Sequence, residues 1–149
     1  MTRHLATAAL MLLASAVPTQ AHALPPGTRV EVFTTSDLPV RHIPSIEGVE
    51  IAVWRLDGIV QAQAVLSRGL PADARRAARI AGERLQRRRD HLAPRMMEAA
   101  RGLAHALLDD GIDRYPAIVF HVPGQKTSVI YGMRDVSAAV AIHENAMGE

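Results

Sequence analysis

The sequence predicts an α/β protein: a three-layer α/β/α sandwich on about four strands of a mixed sheet. Two observations support this. First, short β-branched runs stand before and after a long stretch whose apolar residues recur at helical spacing. Second, residues 117–122 are almost wholly apolar, which is typical of a strand covered on both faces. Layers of helix on either side of a sheet would provide that cover.

The first two strands are predicted over residues 28–34 and 49–56 because apolar and polar side chains alternate there. In the second run, Val49, Ile51 and Val53 share one face and Trp54 lies on the other. The residues between these runs contain two prolines and no helical period, so we expect a loop.

Two helices should follow. A short one is predicted over residues 58–67, capped by Asp57 and ended by Gly69. A longer one is predicted to start at Pro71, which suits a first helical turn. Pro94 would interrupt it, because an interior proline costs about 3 kcal/mol, and we expect a break or kink over residues 91–93. Gly111 is placed to end this helix.

The last third of the chain predicts two strands and a helix. Residues 117–122 and 127–131 should pair as antiparallel strands around a turn. Asp135 should cap a helix over residues 136–143. The predicted order is therefore β-β-α-α-β-β-α, and the helix residues expected to face the sheet are Val136, Ala139 and Val140.

Residues 1–23 have the pattern of a secretory signal peptide. Arg3 precedes an apolar run that is shorter than the roughly 20 residues a spanning helix needs. Ala21, His22 and Ala23 then form a small-x-small cleavage site. We expect cleavage after Ala23, a periplasmic location, one domain over residues 24–149 and no stable membrane insertion after cleavage.

The absence of cysteine limits the chemistry. Because the sequence contains no cysteine, the chain has no disulfide, no thiolate metal ligand and no thiol nucleophile. The mature histidines include no pair spaced three to five residues apart on one helix, as a zinc site would favour, and His121 is interpreted as a packed or edge residue. We therefore expect no cofactor, no metal and no enzymatic activity.

Five sequence blocks together resemble a known family. They are residues 30–40 (VEVFTTSDLPV), 53–57 (VWRLD), 69–73 (GLPAD), 111–120 (GIDRYPAIVF) and 129–136 (VIYGMRDV). In this order they are similar to exported proteins encoded on integrating conjugative elements, which are related to thioredoxin-like pilus-assembly proteins. The resemblance implies a thioredoxin-like domain and a periplasmic accessory of a conjugative type IV secretion apparatus. Its partners would be other proteins of that apparatus.

The same resemblance implies a cis peptide bond before Pro116 and a peptide groove beside it. The alternative is a trans proline that begins a strand, where the missing amide is harmless. The groove would add an extended peptide by main-chain hydrogen bonds. Thr34 to Asp37 stand where thioredoxins carry two cysteines, and turn formation explains these hydroxyl groups without catalysis. The candidate groove residues are Thr34, Thr35, Ser36, Asp37, Tyr115 and Pro116.

Arginines are concentrated in the predicted long helix. Between residues 73 and 101 they outnumber acidic residues by nine to four. The apolar stripe of Ala77, Ile80, Ala81 and Leu85 leaves most of them on other faces. A solvated surface and a docking surface for an acidic partner or lipid headgroups both remain open. No nucleic acid is expected, because aromatic residues are not interleaved with the charge. The candidate docking residues are Arg84, Arg87 and Arg88.

Three functions follow from these observations. The leading hypothesis is a non-enzymatic periplasmic component that supports assembly or stability of the conjugative channel. The alternative is a redox-inactive, thioredoxin-like peptide-binding or chaperone protein. An enzyme is the third and least supported class.

Overall fold

The computed structural model describes residues 24–148. The signal peptide predicted over residues 1–23 lies outside the described residues. The elements follow the predicted order, with a π-helical turn added after the second helix. They are β1 (Arg29–Thr34), β2 (Glu50–Arg55), α1 (Gly58–Ser67), α2 (Ala74–Ala104), the π turn (His105–Asp109), β3 (Ala117–His121), β4 (Ser128–Tyr131) and α3 (Val136–Met147).

The strands form one mixed sheet in the order β2-β1-β3-β4. Strand β1 pairs in parallel with β2 and antiparallel with β3, which in turn pairs antiparallel with β4. The registers place Phe33 beside both Trp54 and Ala117, at the end of β1 that leads into the 34–37 loop. The predicted mixed α/β class with four strands is confirmed.

Each face of the sheet is covered by its own hydrophobic core. On one face, Val30, Val32 and Phe120 pack against Val136 and Val140 of α3. On the other face the core lies under the end of α2 and the π turn, and its buried members are Phe33, Leu56, Ala106, Ile112, Ala117 and Val119. Alternation along β1 and β3 sends neighbouring side chains to opposite cores, which produces the three layers.

Helix α2 differs from the prediction at its start. Asp73 is the N-cap residue, and its carboxylate accepts the Arg76 amide at 2.7 Å. Pro71 therefore precedes the helix rather than occupying its first turn. The helix continues through Pro94 as one long kinked element, so of the predicted break or kink it is the kink that occurs. Packing of α1 against α2 holds the helix together there.

The proline-bearing loop after β1 is fastened to the start of α3. Arg41 and His42 accept the backbone amides of Val136 and Ser137 through their carbonyl oxygens, each at 3.0 Å. Asp135 caps α3 as predicted, since its carboxylate accepts the Ala138 amide at 3.0 Å. A hydrogen bond from His42 is the main cause of the lowered pKa of Asp135. These contacts fix the loop that carries half of the predicted groove.

Candidate functional site

The loop over residues 34–37 is held by its own polar groups. Thr34 is buried, and its hydroxyl donates to the carbonyl of Leu38. Its own carbonyl accepts the Leu56 amide at 2.9 Å. The hydroxyl of Thr35 donates to the carboxylate of Asp37. Thr34, expected to line a groove, is buried and lines a depression beneath the proline-bearing loop.

Asp57 links this loop to α1 instead of capping the helix. Its carboxylate accepts the Ser36 amide at 3.1 Å and the Ser36 hydroxyl at 3.2 Å. The side-chain amide nitrogen of Gln61 (Nε2) donates to the same carboxylate at 2.8 Å. Asp57 stands at the N-cap position but makes no side-chain cap hydrogen bond. The predicted N-cap position is therefore correct, but the predicted capping hydrogen bond is wrong, because the carboxylate binds Ser36 of the loop instead.

The Tyr115–Pro116 peptide bond is cis, as predicted. Pro116 is buried, and its carbonyl accepts the Gly132 amide at 2.9 Å. Tyr115 is half-buried at the edge of the core under α2, and burial is the main cause of the raised pKa of its hydroxyl. Both residues lie at the same end of the sheet as the 34–37 loop, since β3 begins beside Phe33.

Two depressions border the 34–37 loop, and Tyr115 and Pro116 line neither. One lies towards α1 and α2 and is polar, with Ser36, Asp57 and Arg95 among its lining residues. The other lies beneath the proline-bearing loop, where Ile43 and Val53 contribute apolar walls.

The predicted docking arginines line a third depression, between α1 and α2. Arg84, Arg87 and Arg88 surround it together with Arg68 and Val65, and we call these five residues the arginine surface. Arg87 is well exposed and lies 3.9 Å from a carboxylate oxygen of Glu83. Three arginines of α2 and Arg68, just after α1, therefore line one shallow, polar site.

Arg84 has a structural contact that the sequence did not predict. Its guanidinium donates to the carbonyls of Leu66 at 3.1 Å and Arg68 at 2.6 Å, at the end of α1. Arg84 is half-buried, whereas Leu85, expected in the apolar stripe, is 40% exposed. The expectation that Arg84 points away from the fold is wrong, because the last carbonyls of α1 need donors.

A buried polar cluster lies between the sheet and the end of α2. Glu31 of β1, Asp110 after the π turn and His121 at the end of β3 form it, and we call it the acidic–histidine cluster. Their side chains are 2%, 1% and 22% exposed, respectively. His121 Nε2 lies 3.1 Å from Glu31 Oε2 and 3.3 Å from Asp110 Oδ1. These three residues could hold a cation.

Neighbouring side chains orient the acidic–histidine cluster. The Trp54 indole donates to Glu31 Oε1 at 3.0 Å, and the Trp54 ring stacks on His105. The Arg29 guanidinium lies 3.5 Å from Glu31 Oε2. Burial is the main cause of the raised pKa of Asp110, which His121 opposes and Glu31 reinforces. The cluster thus brings two carboxyl groups together where water is largely excluded.

Sequence reasoning missed this cluster because its residues come from three separate elements. The histidines were judged by spacing along one helix, which says nothing about strand residues brought together by folding. One signal was present. Glu31 shares a face of its strand with the apolar Phe33, so its carboxylate points to the layer that covers that face.

Fold and surface define a mixed α/β domain with an arginine-lined depression and a buried acidic–histidine cluster. Within the described residues, no helix is long and apolar enough to cross a membrane. Residues 28–146 match the family model DUF1525, described as a protein of unknown function. The chain belongs to this family. Comparisons with curated proteins and with solved structures gave no match.

Proposed function

We propose that this protein is a non-enzymatic, exported accessory of a conjugative type IV secretion apparatus. The proposal rests on the resemblance of five ordered sequence blocks to proteins of integrating conjugative elements. A thioredoxin-like domain without cysteine fits this role, because it keeps a binding fold while lacking thiol chemistry. The cis bond before Pro116 and a mixed sheet with an antiparallel third strand are consistent with such a domain.

The arginine surface is the main support for a role in binding other proteins. Guanidinium groups bind carboxylates in pairs of parallel hydrogen bonds, so a cleft lined by Arg68, Arg87 and Arg88 suits an acidic segment of a partner protein. Glu83 lies near Arg87 but does not line the depression. The arginine surface is therefore not neutralised by its own lining, and it would dock a negatively charged subunit of the channel.

The test reverses charge without touching the fold. In the variant Arg87→Glu/Arg88→Glu, Arg84 keeps its hydrogen bonds to α1. We expect an unchanged melting temperature and normal excision of the element, with DNA transfer in a mating assay reduced about tenfold or more, the effect of losing about 1.4 kcal/mol of binding. Exposed substitutions usually change stability by no more than about 0.5 kcal/mol.

A matched control separates the arginine surface from net charge. Arg75→Glu/Arg76→Glu makes the same charge change on exposed residues in the first turn of α2, outside the depression. Mating should stay normal in this control. Equal loss of transfer in both variants, or normal transfer in both, would remove the arginine surface from the proposal. Normal transfer after deletion of the gene would remove the conjugative role itself.

The periplasmic location is tested separately. N-terminal sequencing of protein recovered from the periplasm should begin at Leu24, after cleavage at Ala23. An intact Met1 or a mainly cytoplasmic pool would contradict export.

A peptide-binding or chaperone role is the second candidate. The depression beneath the proline-bearing loop favours it, because Thr35 and Ser36 border apolar walls there and Ile43 is 50% exposed. Photo-crosslinkers placed at Ile43 and at Arg88 distinguish the two roles. Crosslinks from Arg88 to one channel subunit support docking, and crosslinks from Ile43 to many extended substrates support the chaperone role.

A further inference from the structure

We propose that the acidic–histidine cluster is a metal site, in which Glu31, Asp110 and His121 bind a divalent transition-metal ion, with Zn²⁺ as the expected occupant. One imidazole nitrogen and two carboxylates form a donor set that zinc accepts, whereas Mg²⁺ and Ca²⁺ favour oxygen donors alone. This proposal does not depend on the proposed function.

The spacing of the donor atoms fits a small ion. Zinc binds nitrogen and oxygen at about 2.0–2.1 Å, so tetrahedral ligands lie about 3.3 Å from one another. The observed separations from His121 Nε2 are 3.1 Å to Glu31 Oε2 and 3.3 Å to Asp110 Oδ1. One ligand atom from each residue lies within 4.8 Å of the other two. Little movement would bring the three atoms onto one ion.

The side chain of Asp110 gives an independent indication that the cluster binds a ligand. Its side chain is only 1% exposed, yet its Oδ2 atom makes no hydrogen bond. Leaving a buried charged acceptor without a partner is costly, and native proteins rarely do so. A bound cation would satisfy this carboxylate directly.

The neighbouring groups orient the proposed ligands. Metal-binding histidines usually have a hydrogen-bond partner on the ring nitrogen that does not touch the metal. Here the Thr127 hydroxyl lies 3.4 Å from His121 Nδ1, on the ring edge opposite the cluster. The Trp54 indole engages Glu31 Oε1 and leaves Oε2 facing His121. Both contacts fix the ligand atoms before an ion arrives.

An ion at this position would join three separate parts of the fold. Glu31 belongs to β1, His121 to β3, and Asp110 follows the π turn that ends the long helix. Binding to the folded chain alone raises its stability by an amount that grows logarithmically with the ratio of the free ion concentration to the Kd. The metal would therefore fasten the end of α2 to the sheet.

The competing explanation is an ion-pair network without metal. Protonated His121 would bridge the two carboxylates, and Arg29, 3.5 Å from Glu31 Oε2, would balance the remaining charge. The two explanations differ at Arg29. Its cation repels a metal but stabilises an ion-pair network, so Arg29→Gln should tighten metal binding about threefold if the ion binds there.

The test uses untagged protein expressed from the full gene and stripped with a chelator, because a polyhistidine tag would bind the same ions. Zn²⁺, Mn²⁺ and Ca²⁺ are titrated by calorimetry and by the fluorescence of Trp54, the only tryptophan in the chain. We expect saturable binding of one Zn²⁺, weaker binding of Mn²⁺ and none of Ca²⁺. Bound Zn²⁺ should raise the melting temperature, and the chelator should reverse the increase.

Four variants decide whether the ion lies in the cluster. Asp110→Asn and His121→Gln should weaken Zn²⁺ binding about tenfold or more. Asp113→Asn and His91→Gln remove the same chemical groups from exposed positions and should bind like the wild type. Circular dichroism confirms that each variant is folded. Absence of saturable Zn²⁺ binding in the wild type would overturn the proposal, as would equal binding in all four variants.

His105 provides a further check on the location. Its Nδ1 atom lies 3.1 Å from a carboxylate oxygen of Asp109, so this neighbouring pair could bind metal adventitiously. If His105→Gln abolishes Zn²⁺ binding while Asp110→Asn leaves it intact, the proposed site is wrong. If Asp110→Asn abolishes binding and His105→Gln preserves it, the cluster is the site.

Discussion

The two halves of α2, before and after Pro94, have the same helical spacing of apolar residues but pack against different parts of the protein. Before Pro94, the inward stripe runs from half-buried residues such as Ala77 and Ile80 to the buried Leu92, and α1 packs against this helix. After Pro94, Ala99 and Gly102 are buried, and Gly102 lies close to Trp54 of the sheet. One half therefore forms a surface arm, and the other belongs to the core.

This difference shows what periodicity can and cannot establish. A period of 3.6 places the helix and its inward face, but the size of the inward residues decides how closely a neighbour can approach. Small residues after Pro94 let the helix approach the sheet. In the first half, Arg84 fills the inward position and contacts the end of α1 through hydrogen bonds.

The largest expected effect comes from the glycine in the packed half. A Cβ atom at Gly102 would lie 2.8 Å from both the Leu56 and the Trp54 side chains, closer than packed carbons allow. Gly102→Ala should therefore lower the free energy of unfolding by about 1–3 kcal/mol, the usual cost of overpacking a core. Urea denaturation followed by circular dichroism measures the change.

The matched variant in the exposed half should have the opposite sign. A Cβ atom at Gly82 would meet nothing within 4 Å. Gly82→Ala should raise the free energy of unfolding by about 0.5–1 kcal/mol, because alanine loses less backbone entropy in a helix. If both alanine variants were stabilising, the two halves would not differ in packing as described.

A smaller effect separates two arginines of the exposed half. Arg84→Ala removes the donors to the Leu66 and Arg68 carbonyls and should cost about 1 kcal/mol. Arg88→Ala, on the same surface, should stay within about 0.5 kcal/mol of the wild type. Thermal and urea unfolding of both variants measures the difference. Equal stability would show that the Arg84 hydrogen bonds only replace contacts with water.

Much of the fold could be predicted because its signals are local. Alternation in β1 and β2 and the apolar run of β3 located the strands within a residue or two of their observed bounds. The sequence left open whether α2 would break or kink near Pro94, and packing against α1 favours the continuous, kinked helix. The partner of Asp57 was also non-local, since Ser36 lies 21 residues earlier.

The two candidate sites also differ in how far the sequence could predict them. The arginine surface was found in part, because charge density is visible in the sequence, but Arg68 joined it through the packing of α1 on α2. The acidic–histidine cluster was missed, because Glu31 and His121 are 90 residues apart. Only the antiparallel pairing of β1 with β3 brings these two residues together.

The smallest effect concerns α3, which covers the opposite face of the sheet and also buries a polar residue. His143 is 7% exposed, stacks on Phe120 with a centroid distance of 4.2 Å and contacts the Ser128 hydroxyl at 2.9 Å. Burial is the main cause of its pKa falling below the ordinary value of 6.5, and Glu144 partly opposes this. The folded protein therefore favours the neutral imidazole.

The sign of the pH dependence follows from proton linkage. As the pH falls below about 6.5, the unfolded chain takes up a proton on His143 before the folded chain does, so stability decreases until the pH passes the lowered folded-state pKa. His143→Phe keeps a stacked ring without a titrating group and should flatten this part of the profile, although Ser128 loses its partner. Urea unfolding from pH 8 to 5 measures the slope, with exposed His91→Gln as the control. A wild-type slope retained in His143→Phe would show that protonation elsewhere in the chain controls its acid stability.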